Sequence, residues 1–244
     1  MFSRNMASTT TRMALALASI SILGVACEHK SNKSSRQGDT GSDRSGKPDP
    51  AVATGDVRAP VAADLAEYTK ALPGTGDKLL ATIETPLGTL HCELYPDKAP
   101  ITVANFVGLA IGKKPWRNPR TGAVESGKPY FDGLEFHRVI PGFMIQGGDP
   151  TGTGTSGPGY SFEDELSPSL DMGPGTLAMA NAGPKTNGSQ FFVMEGTATP
   201  LARKHSIFGA CKEIEVVSKI TNTPRGGDDH PNEPVKMKVT ISKG

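Results

Sequence analysis

The sequence predicts a mainly β, turn-rich folded domain preceded by a long unstructured segment. Glycine and proline are abundant, 29 and 20 of 244 residues, and aromatics make up only 6%. That composition divides a chain into short elements joined by turns. Apolar and polar residues alternate over 79–95 and again over 235–241, the period of strands with one buried face. Residues 28–58 hold almost no large apolar side chain and cannot bury enough surface to offset the entropy of ordering them. The net charge of +1 gives no reason to expect a nucleic-acid partner. There is no internal repeat, and Cys27, Cys92 and Cys211 match no zinc or redox spacing.

The N-terminus reads as a targeting segment. Arg4 and Arg12 precede an uncharged apolar or small run, Met13 to Ala26, shorter than the ~20 residues needed to span a bilayer. Residues 1–26 are therefore expected to be a secretory signal peptide. The run ends Leu-Gly-Val-Ala-Cys and resembles the lipobox of bacterial lipoproteins, in which the cysteine, here Cys27, is lipidated. Gly24 stands where that family prefers a large aliphatic residue, and Gly24 and Ala26 also satisfy ordinary secretory cleavage. Residues 27–60 follow as a Ser/Gly/Lys/Pro-rich tether with an r.m.s. reach of about 30 Å. The expected location is outside the cytoplasm, lipid-anchored to a bacterial membrane and facing the periplasm, or otherwise secreted. Residues 61–78 form a lead-in in which Leu65, Tyr68 and Leu72 have helical spacing, ended by Pro73-Gly74.

The folded domain is expected over 79–244. Leu79–Thr85 and Thr89–Tyr95 flank Pro86-Leu87-Gly88 as a hairpin, with Leu90, Cys92 and Leu94 on its inward face. Pro100 opens a helix at a favoured first-turn position, and Val103, Phe106, Val107 and Ala110 give it one core-facing stripe. Residues 113–128 read as a long polar loop with Trp116 as an anchor. Thr151–Gly159, T-G-T-G-T-S-G-P-G, lacks the ending of a phosphate-cradling loop and precedes no helix, so nucleotide binding is rejected. Glu213–Ile220 is a second helix and Val235–Ile241 a closing strand. Cys92 and Cys211 lie in apolar runs and are expected as two buried free thiols, since buried cysteine often packs as a small hydrophobe.

Two stretches carry the chemistry. Phe136–Asp149 reads F-H-R-V-I-P-G-F-M-I-Q-G-G-D: two short apolar strands around a Pro141-Gly142 break, with Arg138 and Gln146 among hydrophobes. On pattern alone Arg138 is a surface residue on the polar face of a half-buried strand. His137, its neighbour, points to the opposite face and reads as structural. Residues 179–192, M-A-N-A-G-P-K-T-N-G-S-Q-F-F, supply Asn181, Asn187, Ser189 and Gln190 around a Gly183-Pro184 turn. Together the two stretches resemble the cyclophilins, the peptidyl-prolyl cis/trans isomerases. The resemblance extends to E-L-Y-P-D-K-A-P-I-T-V-A-N-F at Glu93–Phe106 and H-S-I-F-G at His205–Gly209, covering residues 79–243.

The resemblance implies a closed eight-stranded antiparallel β-barrel capped by two α-helices, and an enzyme that accelerates X–Pro bond rotation in unfolded or extended polypeptides. It implies Arg138 as the catalytic donor, with Phe143, Met144, Phe192, Leu201 and His205 lining a proline pocket. Gln146 would orient Arg138 and contact the peptide, Asn181 would bind peptide backbone, and Ala180, Ala182 and Gln190 would complete the groove. For Phe143, Phe192 and His205 taken singly, core packing is the competing reading. No cofactor and no metal are implied, and a monomer is expected. The alternative is a proline-peptide-binding chaperone or scaffold in which catalysis is incidental; such a binder could lose Arg138 cheaply. One departure stands out: Pro200 precedes Leu201 where many eukaryotic members carry a tryptophan that helps bind cyclosporin.

Overall fold

The computed structural model describes residues 57–244. The expected signal peptide, Cys27 and most of the tether lie outside the described residues. The lead-in forms α1 (Asp64–Thr69), which stops short of Leu72. Asp64 in its first turn accepts two hydrogen bonds from the Arg58 guanidinium, at 2.6 and 3.0 Å, and this arginine holds the carboxyl below its usual range.

The hairpin appears where alternation places it, as β1 (Leu79–Thr85) and β2 (Gly88–Leu94). Gly88 has φ +138°, and a Cβ there would stand 2.8 Å from a Val216 methyl, so the turn requires glycine. α2 (Pro100–Ala110) has Pro at its first turn. Its free N–H groups are met by a carboxylate from 63–64 residues away in sequence: Glu165 accepts from Ile101 N at 2.9 Å and from Thr102 N and Oγ1 at 2.7 Å, offsetting the positive end of the helix.

The single stripe expected for α2 understates its burial. Every residue from Thr102 to Ala110 is buried. Leu65 and Tyr68 of α1 pack against the same core, and a Cβ at Gly108 would lie 2.5 Å from the Tyr68 ring. Asn105, buried on the same helix, is satisfied by Gly188 O at 2.8 Å and Tyr160 Oη at 2.7 Å. A helix covered on both sides needs no polar face. The 113–128 loop contains a small ribbon, β3 (Trp116–Arg117) and β4 (Val124–Glu125). Trp116 anchors it edge-on against Tyr130, with ring centres 4.7 Å apart.

The remaining strands are β5 (Phe136–Ile140), β6 (Met144–Gly147), β7 (Thr176–Met179), β8 (Phe191–Met194), β9 (Ile207–Cys211) and β10 (Lys238–Lys243), with α3 (Ile214–Thr221) between the last two. β1, β2 and β5–β10 make one curled antiparallel sheet of eight strands in the order β10-β1-β2-β9-β7-β8-β6-β5. β10 begins three residues later than the alternation suggested. Residues 235–237 bond instead to the segment leading into β5: Phe136 N donates to Val235 O (3.0 Å), Met237 N to Leu134 O (2.7 Å) and Gly133 N to Met237 O (2.9 Å).

The expectation of free thiols is overturned. Cys92 and Cys211 form a disulfide. They lie directly opposite each other in the β2–β9 ladder, with Cα atoms 3.8 Å apart. Both are buried in the main core, as the inward placement of Cys92 required, but the strand pairing makes them partners rather than separate hydrophobes.

Candidate active site

The site is built on the outer face of the β5–β6–β8–β7 half of the sheet, and register explains why. Across this half, Arg138 of β5 faces Gln146 of β6, Gln146 faces Phe192 of β8, and Phe192 faces Ala178 of β7. Opposed residues in antiparallel strands project to the same side about 5 Å apart, so these four form a row. One step along each strand the direction reverses. Val139, Ile145, Val193 and Leu177 form the adjacent row and are fully buried in the main core. A one-residue slip would exchange the two sets.

The outer row has an apolar cluster of its own, separate from the main core. Met144, Phe192, Met194, Ala178, Met172, Ala202 and Ile207 are its buried members, with Ile140, Phe143, Ala180 and Leu201 among those packed against them. Met144 faces Met194 and Ile140 faces Met144, so the β5–β6 turn overhangs the cluster. Gly142 at φ +70° makes that turn. It is held from the residue after β8: Glu195 Oε2 accepts from Gly142 N at 2.6 Å, and Phe143 O accepts from Glu195 N at 2.8 Å. Leu201 closes a 3-10 turn, Thr199–Leu201, whose carbonyl accepts from His205 N at 3.1 Å. The His205 ring stands edge-on to Phe192 with centres 5.3 Å apart, and its Nδ1 is 2.9 Å from Met179 O. Burial pushes the His205 pKa down, only partly opposed by that carbonyl. The shift favours the neutral form of the ring beside Phe192.

Polar groups frame one edge. Gln146 Nε2 donates to Gln190 Oε1 at 2.9 Å, and Gln190 Nε2 donates to Ser156 O at 2.8 Å. Ser156 is fixed in turn by the Asp149 carboxylate, which accepts from Ser156 N, Thr151 N and Thr151 Oγ1. Burial raises the Asp149 pKa, but these donors outweigh it and leave the group below its usual range. The Thr151–Gly159 loop that resembled a phosphate cradle is thus the outer support of Gln190. Ala180, Asn181 and Ala182 leave the end of β7 along the same edge. Asn181 Nδ2 donates to Lys204 O at 2.8 Å, and Ala182 N donates to Thr186 Oγ1 at 2.8 Å. Asn187 ties the turn beneath them to Phe162 O, Glu163 O and Asp164 Oδ1.

Arg138 lies at the open side, 46% exposed. His137 does not share its environment. The β5–β6 register slips between Phe136 and Arg138, a bulge, and His137 is buried with neither ring nitrogen hydrogen-bonded. Burial pushes its pKa down.

The geometry is thus an apolar cluster beside an exposed guanidinium, with amide groups along the rim. Among the described residues no cluster has the donors to hold a metal ion. Residues 80–241 match the family described as cyclophilin type peptidyl-prolyl cis-trans isomerase/CLD. The chain belongs to the cyclophilin-type peptidyl-prolyl cis-trans isomerases. Over 167 residues it is 52% identical to peptidyl-prolyl cis-trans isomerase A of Mycobacterium tuberculosis, covering 66% of this chain and 91% of that one. It is 46% identical over 172 residues to peptidyl-prolyl cis-trans isomerase B of Streptomyces anulatus, covering 68% and 97%. A solved cyclophilin type isomerase of Cryptosporidium parvum superposes with a TM-score of 0.58 at 32% identity, over 68% of this chain and 99% of that one. This cyclophilin is an enzyme that isomerises prolyl peptide bonds. Of the residues the resemblance suggested, Phe143, Met144, Phe192, Ala180 and Leu201 belong to the outer cluster, His205 stands against Phe192, and Gln146, Gln190 and Asn181 bond along its edge. The motifs did not indicate Ser156, Met194 or Ile140, which the fold adds through register and loop closure.

Proposed function

We propose that Arg138 is the hydrogen-bond donor that drives X–Pro rotation, with Phe143, Met144, Phe192, Leu201 and His205 holding the proline ring. The row Arg138–Gln146–Phe192 across β5, β6 and β8 carries this reading. It sets a guanidinium beside an apolar cluster on one rigid surface.

Rotating the bond breaks amide resonance, a barrier of about 18–20 kcal/mol. The twisted state has a localised lone pair on the prolyl nitrogen. A fixed donor there stabilises that state over the planar one, and only such a difference accelerates the step. Arginine is always charged and presents several rigid donors. No covalent bond forms or breaks, so the reaction needs no nucleophile, metal or cofactor. The neutral His205 and the methionines hold the ring without competing for the nitrogen. Asn181, Gln190 and Gln146 offer donors and acceptors to peptide backbone along the rim, with Ala180 and Ala182 leaving room for it. A Cryptosporidium parvum cyclophilin was solved in the presence of the dipeptide Ala-Pro, and proline-containing chains are the substrate class here.

Arg138→Ala tests this directly. On X–Pro peptides its kcat/KM falls by about 100-fold or more, the size of effect seen when one transition-state donor is removed, while peptide binding survives. An unchanged kcat/KM in the folded variant would sink the mechanism.

The bonds from Gly133, Phe136 and Met237 support closure of the curled sheet into a barrel with β5 at the seam. The setting we propose is extracytoplasmic, with Cys27 lipidated and the tether holding a monomeric enzyme near a membrane. A disulfide in the core fits an oxidising compartment, and the charged start and short apolar run fit export. Cys27→Ser should release the protein from the membrane fraction; a native protein that is already soluble with an unmodified Cys27 would exclude the anchor.

A further inference from the structure

β5 is an edge strand, so its outer N–H and C=O groups need partners from outside the sheet. The segment after α3 supplies them. Its chain doubles back: Asn232 N donates to Pro224 O and Gly226 N to His230 O, both at 2.8 Å. At the tip, Asp229 has φ +66°, a left-handed conformation that aspartate and asparagine tolerate best among non-glycine residues. Two bonds stitch this tip to the strand. Val139 N donates to Asp229 O at 2.9 Å, and His230 Nδ1 lies 2.9 Å from His137 O. The backbone of Asp229 is therefore fixed against the residue following Arg138.

Its side chain lies between two arginines. Asp229 Oδ2 is 3.9 Å from Arg138 Nε, and Oδ1 is 3.6 Å from Arg225 Nε. Arg225 is four residues before Asp229 on the same turn and 32% exposed. Gln146, which faces Arg138 in register, donates its amide N–H to Gln190 Oε1.

We propose that Asp229 is a positioning residue for the isomerase reaction. Resting on the reading of Arg138 as the transition-state donor, the inference is that the Asp229 carboxylate restricts the positions the Arg138 guanidinium samples along the β5 edge. Arg225 holds that carboxylate from behind. An arginine on an open strand edge otherwise samples many rotamers. Preorganising it raises the fraction of enzyme poised for the twisted state and leaves ground-state binding of the peptide nearly unchanged.

The test uses Asp229→Asn, which keeps the left-handed turn and removes only the charge. With an uncharged X–Pro peptide, kcat falls about 2–5-fold, the range of an exposed ion pair, while KM and the unfolding midpoint hold. The wild-type rate falls toward the variant's as salt is raised, because an exposed pair is screened, and the variant's rate is flat. In an Arg138→Ala background the added Asp229→Asn change has no effect on the residual rate. A wild-type kcat for Asp229→Asn at low salt, or an equal loss from Asp229→Asn with and without Arg138, overturns the inference. If instead Arg138→Ala itself retains full activity, it is the donor assignment that fails.

Discussion

Phe191 and Phe192 are adjacent on β8 and do opposite work. Phe191 is fully buried and meets Phe106, Phe131 and Phe136 edge-on, at centre distances of 5.4, 5.6 and 6.1 Å. Phe192 turns to the other face, lies in the outer cluster and, among the aromatic rings of the described residues, meets only His205. The same alternation separates Val139 from Arg138 and Ile145 from Gln146. The inner face is covered by a helix, tied by a disulfide and buried. The outer face ends in open rim groups. One sheet thus carries a buried core and the surface proposed for catalysis a single residue out of phase, and changes to each should be read in different measurements.

The largest separation concerns the inner face. Replacing Cys92 and Cys211 by alanine, or reducing the bond, should lower the unfolding free energy by about 2–5 kcal/mol, as expected when a long loop is no longer tied in the unfolded chain. The bond joins residues 119 apart in sequence but touches none of the outer row. Denaturant unfolding should therefore shift strongly while kcat/KM at 25 °C stays within a factor of about two, well below the tenfold that 1.4 kcal/mol would bring. A parallel loss of activity in protein shown to be folded would mean that the two faces are coupled.

A smaller effect, visible in pH, concerns the histidines. His205 and His137 both have pKa values lowered by burial. The unfolded chain takes up protons on them below about 6.5, while the folded one resists. The stability they contribute is fully present above that pH and is lost as pH falls through their folded values. Asp149 and Glu195 are shifted down from carboxylate values, so their contribution is lost only at more acid pH. Unfolding free energy should be flat from pH 8 to 7 and decline as pH falls below about 6.5, and kcat/KM on a neutral peptide should hold down to about that pH. A decline that persists unchanged in His205→Gln and His137→Gln would assign it to other groups.

The smallest effect is on ligand reach beyond the pocket. Pro200 is exposed beside Leu201 in the 3-10 turn, where many eukaryotic cyclophilins have tryptophan. Pro200→Trp should tighten cyclosporin binding with little change in peptide turnover. Tight inhibition of the unaltered protein would show that the rim does not need the indole.

Much of this was legible in the chain, for identifiable reasons. Alternation located β1 and β2, and the Pro100 start with Val103, Phe106 and Val107 located α2, because those signals are local. The motif stretches located the outer row because one local pattern, F-H-R-V-I-P-G-F-M-I-Q, specifies both strands of the β5–β6 hairpin. Features set by distant pairing were not legible. The Cys92–Cys211 bond follows from the β2–β9 register, and no spacing rule encodes it. The all-round burial of α2 depends on α1 and on Glu165, far away in sequence. Asp229 and Ser156 sit in polar, glycine-rich loops whose composition reads as plain turn. Their place beside Arg138 and Gln190 appears only once the sheet has curled.

The comparison of the two faces is tested most directly by Phe191→Leu and Phe192→Leu measured side by side, each for unfolding free energy and for kcat/KM on an X–Pro peptide. Phe191→Leu should destabilise the fold by about 1–2 kcal/mol with kcat/KM near wild type. Phe192→Leu should lose about tenfold or more in kcat/KM, the worth of roughly 1.4 kcal/mol of transition-state contact, with a smaller change in stability. If Phe192→Leu keeps its activity, or Phe191→Leu loses activity to the same degree while folded, the division of work between the two faces is wrong.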